Sequence, residues 1–177
     1  MKYHIILTGD VIHSRSHEAS EWLPSLERGI KKYAKSYDIF RGDSFQAEVS
    51  ALDCFQTIFY IKAEMRQFDG MDVRIGIGVG EVDFMDQDIK KSTGEGFILS
   101  GKSLDNLTKE SVEFKSNWKE LDESINLILT LSTRLTDQWT ANMAEMVQAA
   151  MDYPKANQTE LTRITGRKHQ SQVSTEL

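Results

Sequence analysis

A single cysteine, Cys54, excludes an internal disulfide, so burial must hold the fold together. It lies between Asp53 and Phe55 in an apolar run, where a lone thiol reads as a small hydrophobe and not as a nucleophile. Proline is nearly as scarce, with two in 177 residues, Pro24 and Pro154. Most of the chain is therefore free to form regular structure, and each proline marks a particular place. No apolar run approaches the ~20 residues of a membrane span. The start, "MKYHIILTGD", lacks the apolar stretch of a secretory signal. The expectation is a cytoplasmic protein with no membrane association. Positive charge is in deficit: 21 Lys and Arg face 27 Asp and Glu, a net charge of −6, which argues against a generic nucleic-acid coat. The deficit is uneven. Residues 155–177 hold Lys155, Arg163, Arg167 and Lys168 against Glu160 and Glu176, so that end is +2 and the rest −8.

What is present is an ordered change of periodicity. "YHIILTGD" is a short apolar run with a sharp exit, a buried strand. "HEASEWLPSLERGIKKYAKSY" spaces Leu23, Leu26, Ile30 and Tyr33 as a helix, with Pro24 suited to its first turn. "DIFRGDSFQAEVS" has two strand-like runs around Gly42-Asp43, a hairpin. "ALDCFQTIFYIKAEMRQF" is a second helix with Cys54, Ile58, Ile61, Met65 and Phe68 on one face. "DVRIGIGVGEVDF" alternates as a strand, with Gly76, Gly78 and Gly80 leaving one side bare. "GEGFILSGKSLDNLTK" reads as a third helix and "SVEFKS" as a last short strand. The fold class is thus α+β: a βαββαβ ferredoxin-like plan, an antiparallel sheet with helices on one face. From about residue 119 only helices follow. The expected domains are 1–118 and 119–177.

Residues 96–103, "GFILSGKS", match the P-loop pattern G-x-x-x-x-G-K-[ST]. A working P-loop follows a buried strand and has small middle residues, so that backbone N–H groups wrap phosphate. Here the middle holds Phe97, Ile98 and Leu99, and the polar stretch "DQDIKKSTGEG" precedes it. The match therefore predicts a packed helix and no phosphate loop.

Two carboxylates end strands. Asp10 closes the first and Asp43 sits at the hairpin tip. In a split β-α-β sheet these strands are neighbours, and paired carboxylates suit a divalent cation. The bland alternative is that Asp10 caps the next segment and Asp43 only makes a turn.

The segments "ILTGDVIHS", "RGDSFQAEV", "VRIGIGVGEV" and "GEGFILSGKSLDNL" resemble, in order, four landmarks of class III nucleotide cyclases. The whole chain is similar to the SatD family, small cytoplasmic bacterial proteins that look cyclase-like and carry a C-terminal helix-turn-helix. The cyclase resemblance implies a cyclase-palm fold over residues 3–116. It implies Mg²⁺ or Mn²⁺ held by Asp10, Asp43 and the carbonyl of Val11. It implies nucleotide phosphates facing Ser14 and Arg15, and Lys102 where the family has a transition-state Arg. Two positions depart from the pattern. Ile98 stands where the family has a ribose-orienting Asn, and Ile39 where it has a base-selecting Lys. A Lys in place of Arg offers charge without the bidentate fork.

At the C-terminal end, "TDQWTANMAEMVQAAMDY" is a helix with Trp139, Met143, Met146, Val147 and Ala150 toward one side. Pro154 breaks it. Asn157 can cap a short helix that Gly166 ends, and a last polar helix turns Val173 inward. Three helices in this order read as a helix-turn-helix. Arg167 and Lys168 would meet phosphates, while Gln170, Ser171, Gln172 and Ser174 would face base edges. The alternative is a helical packing or dimerisation unit. The buried Val lies seven residues after the turn Gly, and the chain gives no wing after it.

Together these features predict a DNA-binding regulator, homodimeric, with a degenerate cyclase-like domain open to a nucleotide ligand. The alternative is a Mg²⁺-dependent nucleotidyl cyclase or nucleotidyltransferase whose helical tail mediates oligomerisation.

Overall fold

The computed structural model describes residues 2–177. The sheet-forming part runs β1 (Tyr3–Ile12), α1 (Ala19–Lys31), β2 (Ser36–Phe40), β3 (Ser44–Val49), α2 (Cys54–Met65), β4 (Asp72–Phe84), β5 (Thr93–Gly94), α3 (Glu95–Asn106) and β6 (Val112–Lys115). Four helices follow: α4 (Lys119–Thr136), α5 (Ala141–Asp152), α6 (Gln158–Ile164) and α7 (Gln170–Glu176). The protein is α+β, with one mostly antiparallel sheet and seven α-helices among the described residues. No described helix is long and apolar enough to cross a membrane.

The strand order is β2-β3-β1-β4-β5, with β6 added parallel to β4. β1 is central because both neighbours pair with it antiparallel, placing Leu7 between Ala47 and Ile77 and Asp10 between Ser44 and Arg74. At the hairpin, Arg41 and Gly42 adopt φ of 55° and 93°. Gly42 takes this left-handed backbone without Cβ strain, which makes the tight reversal possible.

Alternation then divides the residues between two faces. Leu7, Val11, Phe45, Ala47, Val73, Ile75 and Ile77 join α1 and α2 in one core with Leu26, Ile30, Ile58 and Ile61. Each such fully buried side chain contributes roughly 1.5–3 kcal/mol relative to exposure. Helix α1 begins earlier than its proline suggests. Pro24 is its sixth residue and not in its first turn, and the carbonyl that loses its partner belongs to exposed Ser20.

The expectation that the helices share one face is corrected by α3. Gly76, Gly78 and Gly80 point away from the α1/α2 core, and α3 lies directly on them. A Cβ built on Gly78 would overlap the carbonyl of Gly96 and the amide of Ser100. The helix answers with its own small residues, Gly96, Ser100 and Ser103, all buried. Bare strand and small-sided helix thus approach backbone to backbone on the face opposite α1 and α2. The segment that matches a P-loop is this packed helix: Gly96–Ser103 is α-helical throughout, and the Ser103 hydroxyl donates to the carbonyl of Ile77 (3.5 Å).

β6 is an edge strand, and α4 closes it. The Phe114 amide donates to Asn126 Oδ1 (2.7 Å), and Asn126 Nδ2 donates to the Phe114 carbonyl (2.9 Å). One side-chain amide stands in for a missing strand. Leu129, Thr133 and Thr136 form the buried side of α4.

Gly78→Ala tests the close approach. The methyl has only backbone to displace, so the variant should lose about 1–3 kcal/mol or more of stability in urea unfolding. Gly42→Ala should cost through backbone strain alone, because nothing lies within 4 Å of the added carbon.

Candidate functional site

The residues expected at a cation site lie at one end of the sheet. Asp10 is opposite Ser44, and the Val11 amide donates to the carbonyl of Asp43 (3.0 Å). The backbones of Asp10, Val11 and Asp43 are therefore neighbours. Their carboxylates are already engaged. Arg74 sits across from Asp10 on β4 and donates through Nε (2.9 Å) and Nη2 (2.5 Å) to its two oxygens. This hydrogen-bonded pairing, against the opposing cost of desolvation, raises the Arg74 pKa above the ordinary guanidinium value. Asp43 Oδ2 accepts from the Ser14 hydroxyl (2.7 Å).

Mg²⁺ and Mn²⁺ need free carboxylate oxygens and strict octahedral geometry. Here a guanidinium fork, which matches a carboxylate in two places, occupies Asp10. Among the described residues no three His, Cys, Asp or Glu side chains are grouped to hold a metal. As arranged, both Asp10 oxygens are taken by the guanidinium and one Asp43 oxygen by the Ser14 hydroxyl, so a cation would have to displace Arg74.

The expected nucleotide contacts are dispersed. Ser14 begins a 3-10 turn (Ser14–Ser16) after His13, which is left-handed at φ 56°, and Arg15 is exposed on that turn. Lys102 is exposed in the second half of α3, the half over Gly76 and toward the Asp10 end. Ile98 is 58% exposed on the same helix, whereas Ile39 packs on the α1/α2 core, on the other face from Asp10.

Two features of this face were missed from sequence. One is Arg74 itself. Its position, two before Gly76, puts it on the bare side of β4 facing Asp10, and strand alternation carries that signal. The other is a directed hydroxyl chain. Gln46 Nε2 donates to Thr8 Oγ1 (3.2 Å), Thr8 bonds Ser100 Oγ (2.8 Å), and Ser100 donates to the Phe97 carbonyl (3.0 Å). Cys54 is buried, and burial pushes its thiol up to about 12, so it is inert as a nucleophile at neutral pH.

The tail forms its own small core of Met146, Ala149, Leu161 and Val173, joining α5, α6 and α7. The buried side of α5 is Ala144, Met146 and Ala149; of the stripe expected from spacing, Met146 and Ala150 lie on this core, and Trp139, Met143 and Val147 are only partly buried. Asn157 and Glu160 make a reciprocal cap at the start of α6 (3.0 and 2.8 Å), and Gly166 ends that helix at φ 67°.

The six expected DNA contacts divide. Lys168, Gln170, Ser171 and Ser174 are exposed. Gln170 Nε2 donates to Gln158 Oε1, linking the first residues of α7 and α6. Gln172 is exposed too, but its Oε1 accepts the Lys168 and His169 amides (3.0 and 3.1 Å), so it caps α7. Arg167 is turned inward, its side chain 14% exposed, and bridges Glu145 on α5 (2.8 Å) and Glu176 on α7 (3.0 Å). It is a clamp within the tail.

A scan against protein-family models finds no match to the chain. A search of curated proteins likewise finds none.

Two predictions follow from these pairings. Mg²⁺ or Mn²⁺ with a nucleoside triphosphate should leave the melting temperature of the wild type unchanged. Arg74→Gln, which frees Asp10, should create a shift that Asp10→Asn removes, and a wild-type shift would show that a cation displaces the guanidinium. In the tail, Arg167→Ala should lower stability by about 1.5–3 kcal/mol in thermal or urea unfolding, and Lys168→Ala by less than about 0.5 kcal/mol.

Proposed function

We propose that this chain is a DNA-binding regulator whose cyclase-like domain has lost cation-dependent chemistry. The order β2-β3-β1-β4, with Asp10 and the hairpin tip at one end, is what a ferredoxin-like cyclase palm requires and supports the cyclase-like reading. The resemblance to the SatD family is consistent with the same arrangement. Against cyclisation stand three features. Arg74 takes the role of the cation at Asp10, Ile98 presents an apolar side chain where a ribose contact is needed, and Ile39 faces the core. What remains is a polar sheet end with a fixed internal charge pair, suited to holding a shape.

The observation that carries the DNA reading is the tail. Three helices pack on Met146, Leu161 and Val173, and α7 presents Ser171 and Ser174 outward beside Lys168 and Gln170. The Gln158–Gln170 link sets the two helix starts side by side. It leaves the Gln158 amide hydrogens for a phosphate and the Gln170 carbonyl for a base edge. Exposed Arg163 and Lys168 supply positive charge on a chain that is −6 overall.

Fluorescence titration against genomic fragments, including the chain's own upstream region, at two salt concentrations tests this. Binding should weaken as salt rises, because neutralised phosphates release counterions. Lys168→Ala should weaken binding to all fragments and flatten the salt slope by about one. Gln170→Ala should cost about 1–3 kcal/mol on the preferred fragment and little on random DNA. A protein that holds no fragment more tightly than a control of equal negative charge would sink the reading.

A further inference from the structure

Helix α4 is amphipathic in an unusual way. One side, Leu129, Thr133 and Thr136, is buried against the body. The opposite side is also apolar. Leu127, Ile128, Leu131 and Leu135 are 63, 56, 62 and 68% exposed, and Leu121 continues the line a turn and a half earlier. At 100° per residue, positions 121, 128 and 135 lie within about 40° of one another, and 127 and 131 fall beside them. Single exposed leucines need no explanation, but five large apolar side chains on one side over four turns, interrupted by Glu120 and Ser124, mark a contact surface.

The charges beside the stripe identify its occupant. Glu123 and Arg134 flank it on one side and Glu120 lies at that margin, between Leu127 and Leu131, while the opposite flank, Ile125 and Ser132, carries no charge. In an antiparallel pair of identical helices each flank meets the same flank of the other copy; in a parallel pair, opposite flanks meet. The stripe is centred on Ile128. A twofold axis there sets Arg134 across from position 122 of the second copy, between its Glu120 and Glu123. Within the chain these groups have only loose exposed partners: Arg134 is 4.0 Å from Glu110, and Glu123 is 3.6 Å from Lys119. Apolar stripe and charge pattern are thus self-complementary in the antiparallel sense alone, as a symmetric dimer interface demands.

We propose that the exposed side of α4 pairs, antiparallel, with α4 of a second copy of this chain. The pairing stands apart from the DNA reading, since it uses none of the tail's exposed residues.

Light scattering or sedimentation on the full chain, without DNA, tests it. The wild type should give twice the 20.2 kDa chain mass. Leu131→Glu should give a monomer with unchanged circular dichroism. Arg134→Glu, which leaves the core untouched, should weaken the dimer at least about tenfold by setting like charges opposite one another. Adding Glu120→Arg and Glu123→Arg to that variant should restore it. Ile128→Cys, in a Cys54→Ser background, should form a disulfide-linked dimer on mild oxidation, because the twofold brings the two sulfurs together. A wild-type monomer at all concentrations overturns the proposal. So does a dimer that survives Leu131→Glu, or a charge reversal that the compensating changes do not rescue. Binding of the monomer to anionic lipid vesicles through the same leucines would assign the stripe to a membrane surface instead.

Discussion

A buried charge must find a partner inside the protein, and α2 carries two of them. Lys62 and Glu64 are almost fully buried, one reaching toward the sheet end and the other toward the neighbouring helices. Lys62 donates to both oxygens of Asp72 (2.8 and 3.0 Å) and to Ser111 (3.0 Å), while Arg66 adds to Asp72 (2.8 Å) and holds the carbonyls of Asp137 and Trp139. Glu64 takes both arms of Arg28 from α1 (2.8 and 2.5 Å) and the amide of Gln148 from α5 (2.7 Å). Removing one partner of such a pair leaves an uncompensated charge and costs about 3–5 kcal/mol. These requirements fix where β4, α1, the α4–α5 corner and α5 can sit.

The tail is therefore fastened to the sheet domain along α2. Tyr60 donates to Asp152 (3.0 Å), Lys32 pairs with the same carboxylate, and Gln67 donates to Gln148 (2.7 Å). A polar seam of this kind positions α5 by geometry. Glu64 and Asp152 are thus the points at which α1, α2 and α5 meet. The sheet end at Asp10 reaches the same core through Val11, which lies between the Asp10–Arg74 pair and the apolar face under α1.

Much of the sheet was legible because strand alternation is a direct record of faces. β4 runs from Asp72 to Phe84 as its pattern indicates, and the inward side of α2 is Cys54, Ile58, Ile61 and Met65. The position of α3 was harder to read. The small residues at 76, 78 and 80 and at 96, 100 and 103 complement one another, but no rule of periodicity says which helix fills a bare strand face. The site was legible in part. The backbones of Asp10 and Asp43 lie side by side at one end of the sheet, yet Arg74 engages one of the two carboxylates, 64 positions away in sequence. Lys62 and Glu64 look like surface charges in "YIKAEMRQF", and only their distant partners make burial tolerable. Arg167 misleads for the same reason: its Glu145 and Glu176 come from separate helices, so a clamp reads as a free cation.

Asn126 has a consequence for how copies of this chain can meet. Its amide occupies the open backbone positions of β6 at Phe114. An edge strand closed in this way is a poor template on which another chain could add a strand. Fibril growth by strand addition at this margin of the native sheet is thereby discouraged.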